Sequence, residues 1–181
     1  MKWDKLVYTG STVTGKKVAK AAAENLVPVL LELGGKCPVI IDKTANVEFA
    51  AKKTLFGKLT NFGQVCISAD YVFCHRSLIG NFIGEMNDYL EDGFDNCKDR
   101  GEVGKIINPR MYNRLCDLMK DHGGRVSIGN KNTYKDRNLV PTVIIDPDRN
   151  APIMRQEIFG PILPVLTYET IDEVIKYINE E

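Results

Sequence analysis

The stretch Lys5-Leu6-Val7-Tyr8-Thr9-Gly10-Ser11-Thr12-Val13-Thr14-Gly15-Lys16-Lys17 reads as a strand, a glycine-bracketed turn and the start of a helix. Lys5 to Tyr8 is the strand and Thr9 to Gly15 the turn. A helix follows from Lys16 to about Leu26, with Val18, Ala19, Ala22, Ala23 and Leu26 forming its inner face. Pro28 breaks it before the apolar run Val29-Leu30-Leu31-Glu32-Leu33, which ends in Gly34-Gly35. The same alternation returns down the chain. Pro38-Val39-Ile40-Ile41-Asp42 has the length and β-branching of a buried strand, and Asn46 stands where it caps a helix from Val47 to about Thr60. Further strands are expected at 71–74, 126–129, 140–145 and 162–166. Helices are expected at about 78–90, 111–120 and 172–178, with a Gly-, Asp- and Asn-rich loop reaching about Arg100 and a tight turn at 157–161. Alternating strands and helices predict an α/β fold with a mainly parallel sheet.

Composition narrows the function. Apolar residues make up 44% of the 181 and charged residues 27%, as in ordinary globular domains. Lys plus Arg equals Asp plus Glu, 24 of each and dispersed, so no electrostatic pull toward nucleic acid or an anionic membrane is expected. No run approaches the roughly 20 apolar residues that span a bilayer. The opening Met1-Lys2-Trp3-Asp4-Lys5 lacks the apolar segment of a secretory signal. The five cysteines, Cys37, Cys66, Cys74, Cys97 and Cys116, are irregularly spaced without a CxxC pair, and His75 and His122 are the only histidines. That pattern disfavours a metal site or a disulfide framework; free thiols in a reducing, cytoplasmic setting fit it better.

Three local features carry chemistry. Gly10-Ser11-Thr12-Val13-Thr14-Gly15-Lys16 nearly spells a phosphate-binding loop, but Lys17 stands where a magnesium-binding hydroxyl is required. Nucleotide hydrolysis is therefore disfavoured, and what remains is a strand-to-helix turn whose amides can face a ligand with negative charge. Glu32 lies inside an apolar run, where burial would make it a general base, while period-2 alternation would instead put it on a solvent face. Cys66 lies in the polar loop Asn61-Phe62-Gly63-Gln64-Val65-Cys66-Ile67-Ser68, exposed and open to activation, whereas a strand cysteine such as Cys74 is expected to be packed and inert.

In order and spacing, Tyr8-Thr9-Gly10-Ser11-Thr12…Gly15, Leu31-Glu32-Leu33-Gly34-Gly35-Lys36, Phe62-Gly63-Gln64-Val65-Cys66 and Glu157-Ile158-Phe159-Gly160-Pro161 resemble the aldehyde dehydrogenase superfamily. Cys66-Ile67-Ser68-Ala69-Asp70-Tyr71-Val72 is most similar to its class 3, or fatty-aldehyde, branch, and the resemblance runs from about Leu6 to the C-terminus. It implies that residues 1–35 close a Rossmann-like NAD(P)-binding domain and that residues 36–181 form the catalytic, thiol-bearing domain. It further implies Cys66 as nucleophile and Glu32 as the base that activates the hydrolytic water, favouring release of an acid over acyl transfer to coenzyme A. Gly10, Ser11, Gly15, Leu33, Gly34, Glu157 and Phe159 would contact NAD or NADP, with Glu157 on the nicotinamide ribose.

Members of that family are more than twice as long. The chain is accordingly expected to be a truncated form, without the upstream units that hold the adenosine, a second oxyanion donor, or any C-terminal membrane anchor. A homo-oligomer is expected from the sheet edges such truncation exposes. An inert fragment acting as a structural or binding module is the alternative reading.

Overall fold

Ser11 decides where the first helix begins. Its side-chain oxygen accepts from the Thr14 N–H at 3.4 Å, and its carbonyl accepts from Gly15 N–H at 2.8 Å. The cap starts helix α1, Thr12–Ala23, directly after strand β1, Leu6–Gly10. The turn is thus shorter than the sequence suggests, and Gly15 lies inside the helix. The helix also ends earlier, because Leu26 turns into the left-handed region (φ 54°) and is exposed rather than on the inner face. Strand β2, Val29–Leu33, pairs parallel with β1 from Leu6↔Val29 to Gly10↔Leu33. A Cβ at Gly15 would come within 2.8 Å of Leu33 Cδ2, so the glycine lets α1 settle on β2.

The computed structural model describes residues 3–91, 104–129 and 137–180. It divides into two units, Met1–Gly35, which holds the elements above, and Lys36–Glu181. Most of the loop expected before Arg100 lies outside the described residues.

The second unit is built on a five-stranded sheet. Its strands are β3, Pro38–Ile41; β4, Tyr71–His75; β5, Arg125–Ile128; β6, Thr142–Ile145; and β7, Ile162–Tyr168. They lie in the order β3-β4-β7-β6-β5, all parallel except β5, which runs antiparallel to β6. The central strands are covered on both faces, so their side chains alternate between two cores. Val72, Cys74, Leu163 and Val165 pack with Ala51, Leu55, Phe82 and Met86 of helices α2, Val47–Leu59, and α3, Ile79–Leu90. Phe73, Ile162, Leu166 and Tyr168 pack with Leu115, Val174 and Tyr177 of helices α4, Pro109–Leu118, and α6, Ile171–Glu180. A short helix α5, Pro152–Arg155, absent from the sequence reading, precedes the 157–161 turn.

Asn46 caps α2 as its position predicts, its Oδ1 accepting from Phe49 N–H at 2.9 Å. Asn46→Ala is expected to cost about 1 kcal/mol, read as a lower urea midpoint at unchanged slope.

Candidate active site

Strands β3, β4 and β7 are parallel neighbours, so the segments that enter them meet at one end of the sheet. Those segments carry Cys37, Cys66 to Asp70, and Glu157 to Pro161. The sheet therefore gathers residues more than a hundred positions apart along the chain.

Cys66 is presented by a strained approach. Beyond α2 the chain makes a 3₁₀ turn, Thr60–Gly63, in which Asn61, Phe62 and Gly63 all hold positive φ, at 47°, 59° and 74°. Such a conformation costs of order 1–3 kcal/mol for each non-glycine residue, so the surroundings must enforce it. Phe62 is buried in the core, and Asn61 Nδ2 donates to Gln64 O at 3.0 Å. The Gln64 amide ties the turn to a distant segment, its Nε2 donating to Lys105 O at 3.3 Å and its Oε1 accepting from Ile107 N–H at 2.9 Å. Cys66 then sits in a tight turn closed by Ser68 N–H on Val65 O at 3.0 Å.

Among the described cysteines Cys66 is the exposed one; Cys37 and Cys116 are half-buried and Cys74 is buried. Burial pushes the Cys74 thiol up to about 12, as expected for a packed strand cysteine. Cys37 donates its S–H to Cys66 O at 3.3 Å. Burial, then the charges of Asp70 and Glu157, raise the Cys37 thiol and keep it protonated.

The turn that carries Glu157 and Phe159 is held by its backbone. Asp70, only 3% exposed, accepts the Ile158 N–H on Oδ1 at 2.8 Å and pairs with Lys36 through Oδ2. Lys36 Nζ also donates to Ile153 O and Gln156 O, each at 3.2 Å. Arg114 donates to Glu157 O at 3.0 Å and to Ile158 O. Phe159 is forced to positive φ (52°), and the Glu157 and Phe159 side chains are half-buried. The two turns then touch backbone to backbone: a Cβ on Gly63 would overlap Gly160 O and lie 2.6 Å from Gly160 C.

Lys58 completes the surroundings. Its ammonium is buried and donates to Ala69 O at 2.8 Å; burial lowers it to about 8 despite the nearby Asp70 charge. Sequence reasoning did not find Lys36, Cys37, Lys58, Asp70 or Arg114. Lys58 had a legible signal, a lysine on the helical stripe of Ala51, Thr54 and Leu55. A carbonyl-binding Arg114 had none.

The structure thus brings together Cys66, Glu157 and Phe159. Glu32, Leu33, Gly34, Gly10, Ser11 and Gly15 belong to the first unit. There Glu32 lies on the exposed side of an alternating strand, so alternation, not burial, describes it. Among the described residues no group of three or more His, Cys, Asp and Glu could hold a metal ion, and no helix is long and apolar enough to cross a membrane.

An exposed cysteine on a strained turn thus stands on the same mainly parallel α/β unit as a Glu-Ile-Phe-Gly-Pro turn, and the two turns meet backbone to backbone. The aldehyde dehydrogenase family model matches residues 1–181, and the chain belongs to that family. It is 40% identical over 179 residues to the 4,4'-diaponeurosporen-aldehyde dehydrogenase of Staphylococcus aureus, covering 98% of this chain and 39% of that protein. To mouse aldehyde dehydrogenase family 3 member A2 it is 39% identical, covering 99% of this chain and 37% of the relative. A substrate-bound structure of Staphylococcus aureus AldH matches with a TM-score of 0.91 at 39% identity, over 98% of this chain and 39% of that one. The chain thus spans about two fifths of the length of these relatives.

Proposed function

We propose that the chain carries the nucleophile and part of the cofactor site of an NAD(P)-dependent oxidation of aldehydes to carboxylic acids. The observation that carries this reading is the placement of Cys66: exposed, on a turn held in place from several sides, and locked to the turn of Glu157 and Phe159. Cys66 gives an electron pair to the aldehyde carbon, forming a C–S bond and moving negative charge to the oxygen. Its own backbone N–H is a donor for that oxyanion. A bound nicotinamide dinucleotide supplies the acceptor for the hydride lost from the same carbon, which leaves a thioester on Cys66. The family resemblance gives Glu32 the part of the base for the water that would hydrolyse this thioester, the Cys66 thiolate departing as the acid is released.

The residues present suit such a cofactor chemically. Glu157 offers a carboxylate to ribose hydroxyls, and Phe159 offers an aromatic face, both half-buried on a backbone that cannot easily shift. Gly10 and Ser11, with Gly15 behind them, set the N-terminus of α1, whose first amides suit a group with negative charge. Leu33 and Gly34 would lie beside the nicotinamide. The resemblance of Cys66 to Val72 to the class 3, or fatty-aldehyde, branch makes medium-chain and aromatic aldehydes the first substrates to try.

The test uses an activated ester, which acylates a nucleophilic thiol without cofactor, together with reduced-nicotinamide absorbance on an aldehyde panel. Acylation at Cys66 is expected, with loss in Cys66→Ala of at least about 10³-fold in any turnover. Acylation spread over Cys37 and Cys116 while Cys66 stays free would sink the assignment.

A further inference from the structure

A hydrogen bond sets the thiol of Cys37 against the backbone of Cys66, within one unit of the chain. Cys37 Sγ lies 3.3 Å from Cys66 O. A residue's carbonyl oxygen and its sulfur each sit two bonds from the same Cα, so the two sulfurs lie within roughly 8 Å of each other. The two thiols also feel each other electrostatically. They differ in character: Cys66 is exposed to a soluble oxidant, while Cys37 is half-buried. Cys37 precedes β3 and its carbonyl accepts from Asp70 N–H at 2.9 Å, so its backbone is fixed to the segment that carries Cys66.

We propose that Cys37 and Cys66 form a reversible modification site, in which Cys37 captures an oxidised Cys66 as a disulfide. The oxidant is a hydroperoxide such as hydrogen peroxide. The Cys66 thiolate attacks one peroxide oxygen and the O–O bond breaks, giving a sulfenic acid on Cys66 and hydroxide. The Cys37 sulfur then attacks the Cys66 sulfur and the S–OH bond breaks. The thiol proton of Cys37 leaves with the departing hydroxyl as water. Two thiols lose two electrons to one peroxide, and a dithiol reductant reverses the change. Without a partner thiol, a second peroxide gives up an oxygen to the sulfenic acid and leaves as water, and the sulfinic acid so formed is not repaired by such reductants. Cys37 thus guards the thiol that stands most open to oxidation among the described cysteines.

The site is tested on the chain itself, without aldehyde or cofactor, by limiting hydrogen peroxide, alkylation of the remaining thiols and peptide mass spectrometry. The expected product joins the peptide of Cys37 to that of Cys66 and is lost on treatment with dithiothreitol. Fragmentation between Ser68 and Tyr71 distinguishes Cys66 from Cys74, which shares its tryptic peptide. In Cys37→Ser the hydroxyl can keep the bond to Cys66 O, so the fold is retained. There, once a second equivalent of peroxide is added, most of Cys66 is expected as sulfinic acid, with its free thiol no longer recovered on reduction. Cys66 found as sulfinic acid in the unsubstituted chain, or joined to Cys74, Cys97, Cys116 or a second copy, would overturn the proposal. So would equal recovery of the Cys66 thiol with and without Cys37.

Discussion

Asp70→Ala is expected to destabilise the chain by about 3–5 kcal/mol, the cost of removing one partner from a buried ion pair. The carboxylate is almost fully enclosed and serves two elements at once. Its Oδ1 holds the Ile158 N–H and its Oδ2 holds Lys36, which in turn binds the carbonyls of Ile153 and Gln156. Deleting it leaves a buried N–H unpaired, worth about 1–3 kcal/mol by itself, and a lysine with only carbonyls for partners. It also removes the charge that most favours the protonated form of Lys58. Asp70→Asn keeps an acceptor for Ile158 and is expected to cost less. Urea unfolding of both variants reads the difference; an alanine variant within about 1 kcal/mol of the unsubstituted chain would show that the carboxylate is not what holds the 153–158 segment. For the cofactor role proposed for Glu157, the corollary is that it weakens before the reactivity of Cys66 does, because Arg114 and Asp70 act on the Glu157 turn.

The alternation of strands and helices was legible because apolar runs and their breakers record local periodicity directly. Asn46 was legible too, since a cap acts within one turn of its own helix. The start of α1 was not: Thr12, Val13 and Thr14 are poor helix formers, and the Ser11 cap together with packing on β2 overrides them. Glu32 was balanced between two readings because a five-residue apolar run does not say how many of its faces are covered; β2 proved to alternate. The antiparallel direction of β5 leaves no mark on its apolar pattern. In the candidate site, the motif residues were visible but their supports were not. Asp70, Arg114 and Lys36 act by touching backbone carbonyls and amides tens of residues away, and no spacing along the chain announces such a contact. Positive φ at Asn61, Phe62 and Phe159 is equally silent, since those side chains do not advertise it as glycine does.

Gly63→Ala is expected to cost at least about 3 kcal/mol, combining a side chain in a left-handed conformation with overpacking. What decides the magnitude is the identity of the atoms it meets. The new Cβ would overlap the carbonyl oxygen of Gly160, lie 2.6 Å from its carbon and stand 3.1 Å from Lys58 O, all of them backbone. No rotamer change relieves such a contact; one turn must retreat from the other, and the retreat separates Cys66 from Glu157 and Phe159. Gly57→Ala, six positions earlier and inside α2, is the matched control. Its Cβ would meet nothing within 4 Å, so alanine there is expected to stabilise by about 0.5–1 kcal/mol through helix propensity. Two identical substitutions in adjacent turns should therefore move the unfolding midpoint in opposite directions. If Gly63→Ala instead behaved like Gly57→Ala, the contact between the cysteine turn and the Glu157 turn would not exist in solution. The placement of Cys66 beside Glu157 and Phe159 would then lose its support.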